Sequence, residues 1–103
     1  MTVKLVVLYT QPDDADAFDQ HYLAVHGPLV DAVPGLLRWE GARFTAAADR
    51  GELSFHRIAE LWFEDADALQ QALATDEGKA TGQDYGQIAP PGSRMFIAAV
   101  DEA

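Results

Sequence analysis

The residues of this sequence that could carry out chemistry are its three histidines, His21, His26 and His56. His26 lies four residues after Tyr22, so the two side chains would share one face of a helix. It immediately precedes Gly27-Pro28, where proline removes a helical hydrogen bond and leaves backbone groups free, so we expect a kink or a restart of the helix with Pro28 in its first turn. An imidazole in that position can donate or accept a proton near neutral pH. The sequence therefore predicts at His26 either a proton-transfer residue or a structural histidine bonded to a carbonyl at a kink.

The other two histidines, His21 and His56, are weaker candidates for a functional site than His26. His21 precedes His26 by five residues, which separates them by about 140° on an ideal helix, so we expect His21 to be exposed. His56 lies on a predicted strand, and its spacing places it on the same face as Glu60 and Trp62. There it would line a pocket or a subunit interface. No local spacing supports a metal site made from His26, His56 and Glu60, and we predict no metal.

The elements that must position these side chains form two similar halves, each a strand, a helix and a strand. Apolar, β-rich runs predict strands over residues 3–10, 36–45, 54–63 and 94–100. Carboxylates at Asp13, Asp14 and Asp16 indicate the start of the first helix, and Asp65 the start of the second. The order β-α-β-β-α-β predicts an α+β, ferredoxin-like fold, with one four-stranded antiparallel sheet and helices on one face.

Residues 76–93 contain three glycines before the Pro90-Pro91-Gly92 run, and we expect an irregular stretch with at most one helical turn. Such a stretch would be either a lid over a cavity or a plain connector.

The strands alternate poorly between apolar and polar residues. The run from Val3 to Leu8 is apolar on both faces apart from Lys4, and Met95 to Val100 is apolar throughout. A sheet with helices on one face and water on the other would alternate more regularly. We therefore expect a second copy of the chain to cover the other face, giving a homodimer through the sheets.

Composition and charge limit the classes of molecule that this chain is expected to bind. The chain has 103 residues, 49% hydrophobic and 23% charged, and no cysteine, which predicts one small globular domain over residues 1–103 without disulfides. Its formal net charge is −10, so we expect no binding to nucleic acid or anionic membranes. No apolar run is long enough for a membrane span and no signal-peptide pattern begins the sequence, so we expect a cytoplasmic protein.

Large aromatic side chains could pack the core or line an apolar cavity. The candidates for binding a small hydrophobic or aromatic molecule are the following: Phe18, Trp39, His56, Trp62, Tyr85 and Phe96.

The run from Phe18 to Leu29 reads F-x-x-x-Y-x-x-x-H-x-P-L and is followed by Pro34-Gly35-Leu36. This pattern resembles the signature of the EthD-like family, small proteins of the dimeric α+β barrel group. The resemblance implies that two subunits pack their sheets back to back, and that each subunit has a cleft between its sheet and helices. It also implies that the cleft binds a compact hydrophobic molecule, with His26 as the proton-transfer residue and Tyr22 beside it as either a second catalytic residue or a packing residue.

Relatives of this kind isomerise lactones, dehydrate or cyclise polyketide-like rings, or act as monooxygenases without a cofactor. The leading hypothesis is therefore acid–base catalysis with no cofactor, as an isomerase, dehydratase, cyclase or related lyase. One alternative is a non-catalytic ligand-binding or accessory protein of a degradation pathway. Another is a structural dimer whose cleft is filled by its own side chains.

Overall fold

The computed structural model describes residues 1–101, which form one antiparallel sheet with a layer of helices. The strands are β1 (Val3–Thr10), β2 (Arg38–Arg43), β3 (Phe55–Phe63) and β4 (Arg94–Ala99), and they lie in the order β2-β3-β1-β4. The helices are α1 (Ala15–His21), α2 (Gly27–Asp31), α3 (Ala66–Ala74) and α4 (Asp76–Ile88), with a π-helical segment (Tyr22–His26) between α1 and α2. The predicted α+β, ferredoxin-like fold class is confirmed.

The first helical run passes through the glycine-proline pair without a break. It begins at Asp14, whose carboxylate accepts the backbone N–H of Ala17 at 3.0 Å. Pro28 follows in the first turn of α2, and because it has no N–H it cannot donate a hydrogen bond to the preceding turn. The N–H of Gly27 donates to the carbonyl of Tyr22, five residues back, which is the π-helical pattern. The helix restarts as α2 with Pro28 in its first turn, as one of the two expectations had it, and the widened π-helical turn joins it to α1.

The expectation of an irregular stretch over residues 76–93 is wrong, because residues 76 to 88 form helix α4. The Thr75 hydroxyl begins this helix by accepting the N–H of Gly78 at 3.0 Å, and Asp76 and Glu77 follow in its first turn. The helix packs against α2, α3 and the π-helical segment. Tertiary packing therefore outweighs the low helix propensity of its glycines.

The two faces of the sheet have different surroundings. Alternate residues of β1 and β3 are buried beneath the helices and form the core, among them Val7, Leu61 and Phe63. The residues between them point to the other face, on which no helix of residues 1–101 packs. Trp62 lies there beneath the Arg38 guanidinium, whose carbon is 3.7 Å from the ring centroid.

No helix in the described part of the chain is both long enough and apolar enough to cross a membrane.

Gly78 and Gly86 offer a matched test of how tightly α4 packs. A Cβ on Gly78 would press on the Ala72 carbonyl oxygen and the Leu73 backbone, whereas a Cβ on Gly86 would meet no atom within 4 Å. We expect Gly78→Ala to lower the free energy of unfolding by about 1 to 3 kcal/mol. Gly86→Ala should raise it by up to about 1 kcal/mol. Urea denaturation of both variants measures this, and equal effects would contradict close packing at Gly78.

Candidate functional site

A cavity of about 130 Å³ lies between the sheet and the helices. Its walls come from three strands, three α-helices and the π-helical segment, and most of the side chains that form them are apolar. Three lining residues are exposed, Leu73, Gly82 and Met95, so the cavity opens to the surface beside the edge strand β4. The complete lining is Leu5, Val7, Tyr9, His26, Val30, Val33, Ala59, Leu61, Phe63, Leu73, Gly78, Thr81, Gly82, Tyr85 and Met95.

His26 is the imidazole of this cavity. It is 5% exposed and stacks on Tyr22, with ring centroids 5.5 Å apart. Its Nδ1 lies 2.8 Å from Oδ2 of Asp84, and its Nε2 lies 3.4 Å from the Tyr9 hydroxyl. One ring nitrogen is thus bonded to a carboxylate, and the other is next to a hydroxyl on the cavity wall.

His21 shares the same carboxylate. Its Nε2 lies 2.8 Å from Oδ1 of Asp84, and its side chain is 37% exposed. The expectation that His21 points away from His26 is wrong, because a π-helical turn brings residues five apart to the same side. The two histidines therefore meet at one acidic side chain of α4.

Burial and hydrogen bonding shift the pKa of the Asp84 carboxyl in opposite directions. Burial alone would raise the pKa of its carboxyl, but the hydrogen bonds from His21 and His26 outweigh it and hold the pKa below the usual value. Burial raises the pKa of Tyr9 and of Tyr85. At neutral pH the site therefore contains an ionised carboxylate and two protonated phenols.

His56 belongs to a second buried cluster, outside the cavity lining. Its Nε2 lies 2.8 Å from Oδ1 of Asp19, which also accepts Nε–H of Arg57 at 2.7 Å. On β1, Tyr9 pairs with Arg57 and Thr10 with Phe55, so His56 is the extra residue of a bulge. The prediction that it shares a face with Glu60 and Trp62 is wrong, because the bulge turns it toward α1.

Three further candidates pack around the cavity without lining it. Phe18 stacks on Tyr22 at 6.1 Å between ring centroids. The Tyr22 hydroxyl has no hydrogen-bond partner within residues 1–101 and lies where a Cβ on Gly41 would stand 2.8 Å away. Trp39 packs against the core and donates Nε1–H to Asp31 at 2.7 Å. These rings support the wall behind His26.

Tyr85 lines the cavity, as the binding hypothesis requires, but Trp62 and Phe96 lie on the opposite face of the sheet. Phe96 is 44% exposed there. Contact between either ring and a molecule in this cavity has no support in the geometry, and both belong to the surface through which a second copy was expected.

Sequence reasoning missed Asp84 and Tyr9. Asp84 was hidden because residues 76–93 were expected to be irregular, so no helix face was assigned to it. Tyr9 is separated from Val3 and Val7 by an even number of residues along β1, so it lies with them on the face of the sheet that the helices cover.

No group of three or more His, Asp or Glu side chains in residues 1–101 is arranged to hold a metal ion. Of the three residues weighed as ligands, His26 binds Asp84, His56 binds Asp19 and Glu60 binds Lys4.

Substitution of Tyr22 tests whether its hydroxyl contributes to the fold. Because the hydroxyl is buried without a partner, Tyr22→Phe should leave the free energy of unfolding unchanged or raise it by about 1 kcal/mol. Tyr9→Phe removes a hydroxyl bonded to His26 and should lower it. Thermal unfolding compares the two, and an equal loss in Tyr22→Phe would show that its hydroxyl has a bonding partner.

Residues 11–90 match the EthD domain family. An uncharacterized 11.0 kDa protein from the thcB-thcC intergenic region of Rhodococcus erythropolis is 32% identical over 94 residues, covering 91% of this chain and 90% of that protein. The crystal structure of an EthD family protein from Bacillus halodurans superposes with a TM-score of 0.92 at 40% identity, covering 98% of this chain and 100% of that one.

Two enzymes of lower identity share the fold. Hydroxynitrile lyase from Passiflora edulis has a TM-score of 0.80 at 12% identity, covering 99% of this chain and 95% of its own. SnoaB, a cofactor-independent oxygenase from Streptomyces nogalater, has a TM-score of 0.71 at 18% identity with the same coverage. At these identities the likeness concerns the fold alone. The match over residues 11–90 and the two relatives above 30% identity establish that this chain belongs to the EthD domain family.

Proposed function

We propose that the cavity binds a compact hydrophobic or aromatic molecule and that His26 transfers a proton within it, without a cofactor. The observation that carries this proposal is a buried imidazole on the wall of an apolar cavity, bonded on one nitrogen to a carboxylate. General acid–base catalysis needs such a group within reach of the bound molecule. The reaction classes that fit are isomerisation, dehydration or cyclisation, and lyase chemistry.

The volume and lining of the cavity limit the size and charge of the molecule that it can bind. A cavity of about 130 Å³ has room for roughly one six-membered ring, since apolar cavities of about 150 Å³ accept benzene. A larger substrate would extend through the opening beside Leu73 and Met95. The lining has no cationic side chain apart from His26 when protonated, and the ionised Asp84 lies behind that ring. Uncharged cyclic enols, lactones and hydroxylated aromatics meet these conditions.

The chemistry follows from which groups hold protons. Nε2 of His26 takes a proton from a carbon next to a substrate carbonyl, and the C–H electron pair moves to the oxygen to give an enolate. The imidazolium returns the proton to a different atom of the same molecule. Tyr9 and Tyr85 remain protonated because burial raises the pKa of each, so they can donate hydrogen bonds to the enolate oxygen.

The same fold occurs in a hydroxynitrile lyase and in a cofactor-independent oxygenase, which supports enzymatic chemistry on this scaffold. A binding or accessory protein would use the same cavity without changing its ligand. Chemical change of the bound molecule is the observation that separates the two functions.

We also propose that two chains associate through the sheet face without helices. This face carries half-exposed Val6, Ile58 and Trp62 and the exposed Phe96, beside the Lys4–Glu60 ion pair at 2.7 Å. Apolar surface of this kind on a small domain favours association. A second copy would bury it and form the expected α+β barrel.

His26 and His56 provide a matched pair for testing the catalytic proposal. They are 5% and 6% exposed, each bonds to one carboxylate, and only His26 lines the cavity. On a panel of cyclic enols, lactones and hydroxylated aromatics, we expect His26→Ala to lower kcat about 10²- to 10⁴-fold. His56→Ala should keep most activity if it folds.

Turnover that survives in folded His26→Ala would reject His26 as the proton-transfer residue. Ligands that bind and are recovered unchanged across the whole panel would favour the binding protein.

Light scattering at micromolar concentration tests the dimer. The parent chain should have about twice the 11.2 kDa mass of one copy. Ile58→Lys, on the sheet face, should give a monomer because it places a charge in the proposed interface. Leu23→Lys, at a 64% exposed position on the helix layer, should remain dimeric. A monomeric parent chain would overturn the proposal.

A further inference from the structure

The orientation of the His26 ring depends on a carboxylate on another helix. Asp84 is 7% exposed, and its Oδ2 lies 2.8 Å from Nδ1 of His26. An ionised carboxylate can only accept hydrogen bonds, so Nδ1 must carry the proton. In the neutral ring, Nε2 then carries the lone pair, and it accepts a long hydrogen bond of 3.4 Å from the Tyr9 hydroxyl on the cavity wall.

The second oxygen of Asp84 is held in the same way. Nε2 of His21 lies 2.8 Å from Oδ1, and by the same argument this nitrogen donates its N–H. Each carboxylate oxygen therefore receives one imidazole N–H, and Asp84 is fixed from two sides. His21 is partly exposed, whereas His26 is buried against the cavity.

We propose that Asp84 is the positioning residue of the site, holding His26 with its proton on Nδ1 so that the lone pair of Nε2 faces the cavity, where a bound molecule can replace the long bond from Tyr9. His21 assists by holding the other oxygen of the same carboxylate. The consequence for turnover rests on the proposed function, but the placement of the protons does not.

A purely structural histidine would not need its second ring nitrogen to face the cavity. The Asp19 cluster shows the contrast: it has the same chemistry, a buried histidine bonded to a carboxylate, but His56 does not line the cavity. Asp19, whose side chain is 18% exposed, therefore serves as the internal control for removing a carboxylate charge bonded to a histidine.

Asp84→Asn gives a sharp test, because its carboxamide has one accepting oxygen and one donating NH₂ group. It can accept an N–H from only one of the two histidines and must donate to the other. To keep both contacts, either His21 or His26 must move its proton to its other ring nitrogen. Asp19→Asn should leave the tautomers of both rings unchanged.

Long-range ¹H–¹⁵N correlation spectra of ¹⁵N-labelled protein distinguish protonated from unprotonated ring nitrogens, at about pH 9 where free imidazole is neutral. The parent protein should show His26 protonated on Nδ1 and His21 on Nε2. In Asp84→Asn one of the two should change. A proton on Nε2 of His26 in the parent, or two unchanged rings in the variant, would overturn the proposal; the parent spectrum is decisive even if the variant does not fold.

Kinetics separates this proposal from the proposed function. With a substrate in hand, Asp84→Asn should lower kcat about 10- to 100-fold with little change in KM, because Asp84 does not line the cavity. An unchanged kcat would overturn the role of Asp84 in turnover. If no substrate is turned over at all, the catalytic function fails while the spectra still decide the positions of the protons.

Discussion

The Asp84 carboxylate joins the two helical runs that cover the sheet. It lies on α4 and meets His21 and His26 at the π-helical turn, with both contacts at 2.8 Å. A buried carboxylate is costly unless it is hydrogen-bonded, and here each oxygen has a partner. The orientation of His26 and the packing of α4 against the π-helical segment therefore share this contact.

The π-helical turn is what makes this contact possible. In an α-helix, side chains five apart diverge, so His21 and His26 would not reach one carboxylate. The wider turn aligns them and continues directly into α2 at Gly27-Pro28. Turns of this type are rare and often occur at functional sites, in keeping with a histidine on a cavity wall.

Most of the fold could be predicted from the sequence, because its signals are local. β-rich runs predict all four strands to within two residues at each end, and aspartates mark two helix starts. Helix α4 could not be predicted in this way. Glycines at positions 78, 82 and 86 each disfavour a helix by about 1 kcal/mol, and the packing of α4 against α2 and the π-helical segment that favours it joins residues far apart in the chain. Asp84 was missed with the helix that carries it.

The sequence by itself determined the β-α-β-β-α-β order, the family motif and His26 as the leading candidate, since each depends on residues that are neighbours in the chain. Only the tertiary structure decided which groups surround that histidine. Asp84 is 58 residues away from His26, and Asp19 is 37 residues away from His56. The bulge at His56 and the placement of Trp62 on the far face of the sheet likewise depend on strand register. Pairings over such distances are set by the packing of whole elements, which local periodicity does not encode.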